Sequence, residues 1–380
     1  MAGIYLHIPF CKKACHYCDF HFSTSPVYKN QMVNALRREI LLRKDYTGSE
    51  QIETIYFGGG TPSVLSADEL GMLIHEITEH YPVSAYAEIT LEANPDDLNP
   101  QKVKEFRQLP INRFSIGVQS FFEEDLKWMN RAHTASEGYS SIKRIQDAGF
   151  ENITVDLIYG YPLLSGEKWK YNIRELIGLQ VPHISSYSMT VEPATALASF
   201  INKGVQKPMN EVQSARQFEM LIDELQNAGF EHYEISNFAK PGWHSRHNSN
   251  YWEGVNYMGI GPSSHSFNGE SRQWNISNNS KYIAALEGNK IPFEMETLTV
   301  ENRINEYIMT SLRTSKGMDL NLISERFHSD YSSKIIEAME PFLDKKWAII
   351  EDHKVKLTRE GKLFADHVAS ELFVEIGEMR

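Results

Sequence analysis

The sequence predicts an α/β fold, a parallel sheet wrapped by helices and followed by a smaller α+β domain. Between residues 4 and 190, six short apolar segments alternate with amphipathic stretches. The amphipathic stretches open on capping signals and close on glycines. From about residue 290 the alternation gives way to three helices and a hairpin. Parallel neighbours need a long crossover, usually a helix, so six such units in a row imply a parallel sheet.

The strand-like segments are "GIYLHI", "ETIYFGGG", "EITLEAN", "RFSIGVQS", "ITVDLIYG" and "HISSYSM". Each is rich in β-branched or aromatic residues and runs out at a polar residue or glycine. Ser66 with Glu69, and Thr134 with Glu137, have capping-box spacing. Asn99 and Pro100 fit an N-cap followed by proline at the first helical position. Gly149 and Gly229 fit helix stops. An open barrel, a closed barrel and a doubly wound sheet all match this pattern.

The C-terminal region is read separately, with domains expected at 1–285 and 290–380. Ile304, Tyr307, Ile308 and Leu312 form one helical stripe. "LNLISERF" and "SSKIIEAMEPFL" supply two more helices, and "WAIIEDHKVKLT" a hairpin turning near Asp352-His353. The outline is winged-helix-like, which raises DNA binding. Acidic residues outnumber basic ones there, and the whole chain carries a formal charge of −12. The charge that neutralises phosphates is missing, so a structural or lid role is expected and nucleic acid is not.

No apolar stretch approaches the roughly 18 residues that span a bilayer. The start, "MAGIYLHIPFCKKAC", lacks a basic leader and reads as a strand and loop rather than a signal peptide. A cytoplasmic location with free thiols follows. Any membrane association is expected only through a partner.

All three cysteines, Cys11, Cys15 and Cys18, lie in "CKKACHYCDF". Such a cluster points to metal. Zinc would need a fourth ligand, for which His16 and His21 are at hand. An iron–sulfur cube would leave one iron without a thiolate, open to a small molecule with amine and carboxylate groups. One tight loop, rather than two separated ligand pairs, favours the cluster. The strand ends add polar groups on one expected rim. These are "GGGTPS", whose glycines would let backbone N–H groups approach a ligand, Glu92, Gln119, Asp156, and Arg131 in "NRAH". Singly, a tight turn, an N-cap or a salt bridge would explain each of them.

The Cys-x₃-Cys-x₂-Cys spacing after a first strand resembles the radical S-adenosylmethionine (SAM) superfamily. That resemblance implies a partial (β/α)₆ barrel and a [4Fe–4S] cluster whose fourth iron is chelated by SAM. It also implies an electron from the cluster that splits SAM to methionine and a 5′-deoxyadenosyl radical. "IYLHIPFC", "YFGGGTPS", "LEANP", "GVQSF", "NRAH" and "VDLIYG" resemble the oxygen-independent coproporphyrinogen III dehydrogenase group. By position, Tyr5 and Tyr17 should lie against SAM, with Gly59, Gly60 and Thr61 at its methionine end. Glu92, Gln119, Arg131 and Asp156 should bind its ribose and other polar atoms.

Two features divide that group. The dehydrogenases have a fourth cysteine where this chain has Phe20. "HNSNYW", residues 247–252, is similar to the signature of the group's haem-chaperone branch. The resemblance implies haem held by His247, Asn248, Tyr251 and Trp252 and passed to an acceptor protein. An imidazole can ligate haem iron, and Tyr251 and Trp252 offer flat surface. The segment reads as a polar loop region, with His244 and His265 as alternative ligands. A hydrogen-bonded histidine beside a packed Tyr-Trp pair is the plainer reading of the same residues. A bridging cluster or haem would make a homodimer. The competing functions are the dehydrogenase itself and a zinc-stabilised protein without radical chemistry.

Overall fold

The computed structural model describes residues 1–327 and 329–374. Six β/α units come first. Their strands are β1 (Ala2–Ile8), β2 (Ile52–Gly59), β3 (Val83–Ala93), β4 (Arg113–Gln119), β5 (Ile153–Tyr159) and β6 (His183–Ser188). The helices between them are α1 (Lys29–Leu42), α2 (Ala67–His80), α3 (Pro100–Phe106), α4 (Glu123–Trp128), α5 (Ala135–Asp147) and α6 (Gly166–Gly178). An extension follows: α7 (Ala196–Asn202), α8 (Glu211–Asn227), β7 (Glu231–Glu234), β8 (Asn237–Ala239), α9 (Arg246–Trp252), β9 (Asn256–Ile260), β10 (His265–Phe267), β11 (Ser271–Asn275), α10 (Asn279–Glu287) and β12 (Phe293–Thr297).

The sheet runs β12-β11-β10-β9-β1-β2-β3-β4-β5-β6-β8-β7, with β12 and β7 as its edges, so it stays open. β1 to β6 pair in parallel. β1, β2, β4 and β5 are buried nearly end to end, as expected of strands covered on both faces. Local signals act as read. Ser66–Glu69 and Thr134–Glu137 form reciprocal capping boxes, and Asn99 caps the backbone N–H of Lys102. Gly149 and Gly229 take left-handed φ values of 84° and 78° behind α5 and α8.

Two segments differ from the sequence reading. "HNSNYW" is not a loop but α9, capped by Ser245, whose hydroxyl accepts from the N–H of Asn248. The glycine-rich stretch after it contains β9, which pairs in parallel with β1 as a seventh parallel strand (Tyr5 opposite Gly259). Its glycine content hid it. A Cβ on Gly259 would stand 2.1 Å from the carbonyl oxygen of His265, so the returning β10 demands glycine there.

A buried ion pair ties the extension to the barrel. Glu39 on α1 accepts from Arg43 Nε (2.8 Å), Asn275 Nδ2 (2.7 Å), the Tyr282 hydroxyl (2.5 Å) and Gly261 N–H (2.8 Å). Arg43 also donates to Gln273 and Asn275.

The C-terminal region has its own core, from Ile304, Ile308 and Leu312 to Val368 and Leu372. It comprises α11 (Val300–Leu312), β13 (Met318–Asp319), α12 (Leu320–Phe327), α13 (Ser329–Asp344), β14 (Ala348–Glu351), β15 (Lys354–Leu357) and α14 (Ala365–Glu371). Asp352 and His353 both have positive φ and turn the β14–β15 hairpin. Arg313 anchors this region to the barrel by facing Glu234 (3.5 Å), and Arg359 does so through Asp223 (2.5 Å).

Candidate functional site

The three thiols are free and half-buried on the loop that leaves β1. Backbone bonds shape this loop: Cys11 N–H to the Ser23 carbonyl (3.0 Å), Ser23 N–H to Pro9 (2.9 Å) and Cys18 N–H to Cys15 (3.3 Å). His16 is pinned outside the thiol set. Its Nδ1 is 2.8 Å from the Trp128 carbonyl, and its ring meets Phe200 edge-on. His21 Nε2 is 2.7 Å from Asn279 Oδ1. Among the described residues, no group of three or more His, Cys, Asp and Glu converges on one metal ion. The donors at hand are three thiols spread along one loop. Burial pushes the Cys11 and Cys18 thiols up to about 11, so the loop alone keeps them protonated. Coordination to a metal would reverse that, because a metal-coordinated thiol is deprotonated.

Rim residues close around the loop. The Thr61 hydroxyl donates to Cys11 Sγ (3.4 Å), and Asn94 Nδ2 donates to Thr61 (3.3 Å). Arg131 is the hub. Its Nη2 donates to Asn94 Oδ1 (2.8 Å) and the Gly117 carbonyl (2.7 Å), while Nη1 reaches Cys15 Sγ (3.4 Å) and the Tyr17 hydroxyl (3.5 Å). Gln119 ends β4 at φ 67°, a left-handed value uncommon for a non-glycine residue and typical of functional rims. Its amide lies over Gly117 beside Arg131, where a Cβ on Gly117 would be 2.9 Å from Gln119 Nε2. Gln119 Oε1 and Arg131 Nε are buried without a hydrogen-bond partner among the described residues. Unmatched buried groups at one spot are what a polar ligand would satisfy, so the residues present fit the expected cofactor.

A second layer lies deeper. The Tyr56 hydroxyl donates to Glu92 Oε1 (2.7 Å), and Ser115 donates to Asp156 (3.4 Å). Burial, with Asp156 nearby, pushes the Glu92 carboxyl up to about 8; burial pushes Asp156 up to about 6. Tyr5 belongs to this layer. It stacks on Tyr56 at 6.0 Å, and its hydroxyl is 3.4 Å from His7 Nδ1. The glycines act differently from the sequence reading. The N–H of Gly60 is taken by the Ile8 carbonyl (2.9 Å), and a Cβ there would strike Phe10 and Ile8 backbone. Gly59 has φ 106°, and a Cβ would press on His7. Both let the ends of β1 and β2 close tightly, which positions Thr61 beside Cys11.

The "HNSNYW" residues divide between two places. His247 is only 2% exposed. Its Nδ1 is 2.7 Å from Thr54 Oγ1 and its Nε2 is 3.0 Å from the Tyr251 hydroxyl. Its backbone N–H donates to Glu88 (3.0 Å). Burial pushes the imidazole down to about 3. Both ring nitrogens are thus engaged, and the ring is core rather than the open loop ligand the sequence suggested. Tyr251 and Trp252, in contrast, line a cleft facing the C-terminal region. Among the alternatives, His244 pairs with Glu231 (2.8 Å) and stacks on Tyr233, while His265 is exposed. Sequence reasoning missed Tyr56, His7 and Asn94. Asn94 sits in the quoted "LEANP" and was within reach; Tyr56 and His7 read as ordinary strand residues.

A family model described as the radical SAM superfamily matches residues 5–176, and one described as the HemN C-terminal domain matches residues 298–364. Fold, rim and cysteine loop together define a radical SAM protein. Proteins named heme chaperone HemW from Bacillus subtilis (strain 168) and Lactococcus lactis subsp. lactis (strain IL1403) are 33% and 32% identical to this chain. The alignments cover 97% and 98% of this chain, and 98% and 97% of theirs. The structure of coproporphyrinogen III oxidase (HemN) from Escherichia coli, a radical SAM enzyme, shares the fold. It superposes with a TM-score of 0.86 over 99% of this chain and 90% of its own, at 21% identity. The chain belongs to the family of these HemW proteins, within the radical SAM superfamily. Among the described residues, no helix is long and apolar enough to cross a membrane.

Proposed function

We propose that this protein is a haem chaperone: it binds haem, passes it to an acceptor protein, and carries a [4Fe–4S] cluster with SAM on the open iron. The observation that carries this reading is the match along nearly the whole chain to proteins named heme chaperone HemW. Phe20 supports it. It stands 67% exposed at the position where the dehydrogenases of the group have a fourth cysteine. We assign the protein to the cytoplasm and divide it into domains at 1–285 and 290–380, the second lending β12 (Phe293–Thr297) to the edge of the barrel sheet.

In this reading Cys11, Cys15 and Cys18 hold the cluster, which when bound supplies an electron to the sulfonium of SAM. The chain's own groups do the rest. Arg131, braced by Asn94 and Gly117, puts positive charge beside Cys15. Thr61 orients Cys11, and with Gly59 and Gly60 it bounds the methionine end. Tyr17, held near Arg131, gives a flat face next to the adenine, and Tyr5 backs the layer beneath. Glu92, Asp156 and Gln119 offer buried hydrogen-bonding groups to the ribose, in a pocket that excludes water.

Titration of reconstituted protein with haemin under anaerobic conditions tests the reading. A Soret band should grow with added haemin. Iron and sulfide analysis should give iron and sulfide rather than zinc, and changing any of the three cysteines to alanine should remove both. Formation of decarboxylated product from coproporphyrinogen III with SAM would instead identify a dehydrogenase.

A further inference from the structure

A cleft of about 490 Å³ opens between the barrel extension and the C-terminal region. One wall is aromatic: Trp252 from α9, Tyr257 from β9 and Phe267 from β10. Tyr251 meets Tyr257 edge-on at 4.6 Å, and Tyr257 leans on Phe267 at 6.2 Å. The facing wall comes from α11 and α12 and carries Arg303, Arg326 and Phe327. The guanidinium of Arg303 lies 6.0 Å from the Phe327 ring centre.

The lining carries three arginines, Arg272, Arg303 and Arg326, against two carboxylates, Glu253 and Glu306, and Glu253 is paired with Lys316. Arg272 is neutralised by Glu306 at 2.7 Å. Among the described residues, neither Arg303 nor Arg326 has an ion-pair partner. Trp252 Nε1 and the Nε atoms of Arg272 and Arg303 are buried without hydrogen-bond partners among the described residues. Aromatic walls with guanidinium groups suit a flat apolar ring system that carries carboxylates. The volume lies in the usual range for a small-molecule site.

We propose that this cleft receives the haem macrocycle, with Arg303 and Arg326 of the C-terminal region pairing its two propionate carboxylates. The assignment rests on the haem-chaperone reading and gives the C-terminal region a part in it. It also accounts for the split of "HNSNYW": α9 presents Tyr251 and Trp252 to the cleft and sinks His247 into the barrel. The imidazole stands one side chain behind the cleft, with Tyr251 between.

The test is a haemin titration, read at the Soret band, of the full chain and of the Arg303→Gln/Arg326→Gln double variant. Each lost charged pair should weaken binding roughly tenfold. The same titration with the dimethyl ester of haem should show weak binding to the native protein and no further loss in the variant. Unchanged haemin affinity in a variant with native melting temperature overturns the assignment. If the variant does not fold, equal affinity of the native protein for acid and ester overturns it. If the native protein binds no haemin, the haem-chaperone reading falls, and the cleft assignment with it.

Discussion

The imidazole of His247 stacks on the ring of Tyr56, with centroids 4.9 Å apart and planes inclined by 25°. Tyr56 in turn donates to Glu92 at 2.7 Å. The "HNSNYW" helix is thus two contacts from a rim carboxylate, through the middle of the barrel.

Replacing His247 by alanine removes this stack and strands the Thr54 and Tyr251 hydroxyls. Unfolding free energy in urea should fall by roughly 2–4 kcal/mol, and haem affinity should drop with it. His247→Phe keeps a flat ring without the bonds and should recover part of the stability. Unchanged stability in His247→Ala would contradict a core role.

Acid should destabilise the protein through its buried histidines. Burial pushes His7 down to about 4, and His133, His232 and His247 down to about 3, from an ordinary 6.5. Below pH 6.5 the unfolded chain takes up protons that the folded chain refuses. Stability is therefore lost as pH falls from 6.5 toward 4, by about 1.4 kcal/mol per pH unit for each histidine. Denaturation midpoints at pH 7 and 5.5 should differ accordingly, and His232→Phe should flatten the dependence.

Glu92 has the opposite sign. Its carboxyl is pushed up to about 8, so folding becomes less favourable as pH rises from 4.5 through 8. Glu92→Gln should stabilise the protein at pH 8 by roughly 1–2 kcal/mol while weakening SAM binding. Calorimetric titration of SAM alongside urea denaturation measures both. A variant that loses stability at pH 8 would place Glu92 in a structural role.

Glu39 has no solvent exposure and accepts from four donors. Glu39→Ala leaves Arg43 buried without its counter-ion, and stability should fall by about 3–5 kcal/mol. The Glu39→Met/Arg43→Met double variant should recover much of that loss, because it leaves no lone charge. Equal losses in the single and double variants would contradict this.

What the sequence disclosed was local. The six parallel strands, the capping boxes at Ser66 and Thr134, and the turn at Asp352-His353 each depend on residues a few positions apart. The cysteine spacing and the rim motifs are local too. What escaped depends on partners far along the chain. β9 looks like loop because Gly259 must admit the carbonyl of His265, and its partner β1 lies at the other end of the sequence. His247 reads as a loop ligand until Thr54 and Tyr56 are seen around it. The cleft leaves no local trace, because its arginines and its aromatic wall come from segments that meet only in the folded chain. His16 illustrates the reverse. Its place between Cys15 and Cys18 suggests a metal ligand, yet the Trp128 carbonyl claims its ring.

The most direct test of the central claim is an anaerobic haemin titration of cluster-loaded protein, with and without SAM, followed by absorbance. A saturable Soret band at micromolar haemin is expected, with no decarboxylated product when coproporphyrinogen III is supplied. No spectral change at that concentration, or turnover of coproporphyrinogen III, would contradict it.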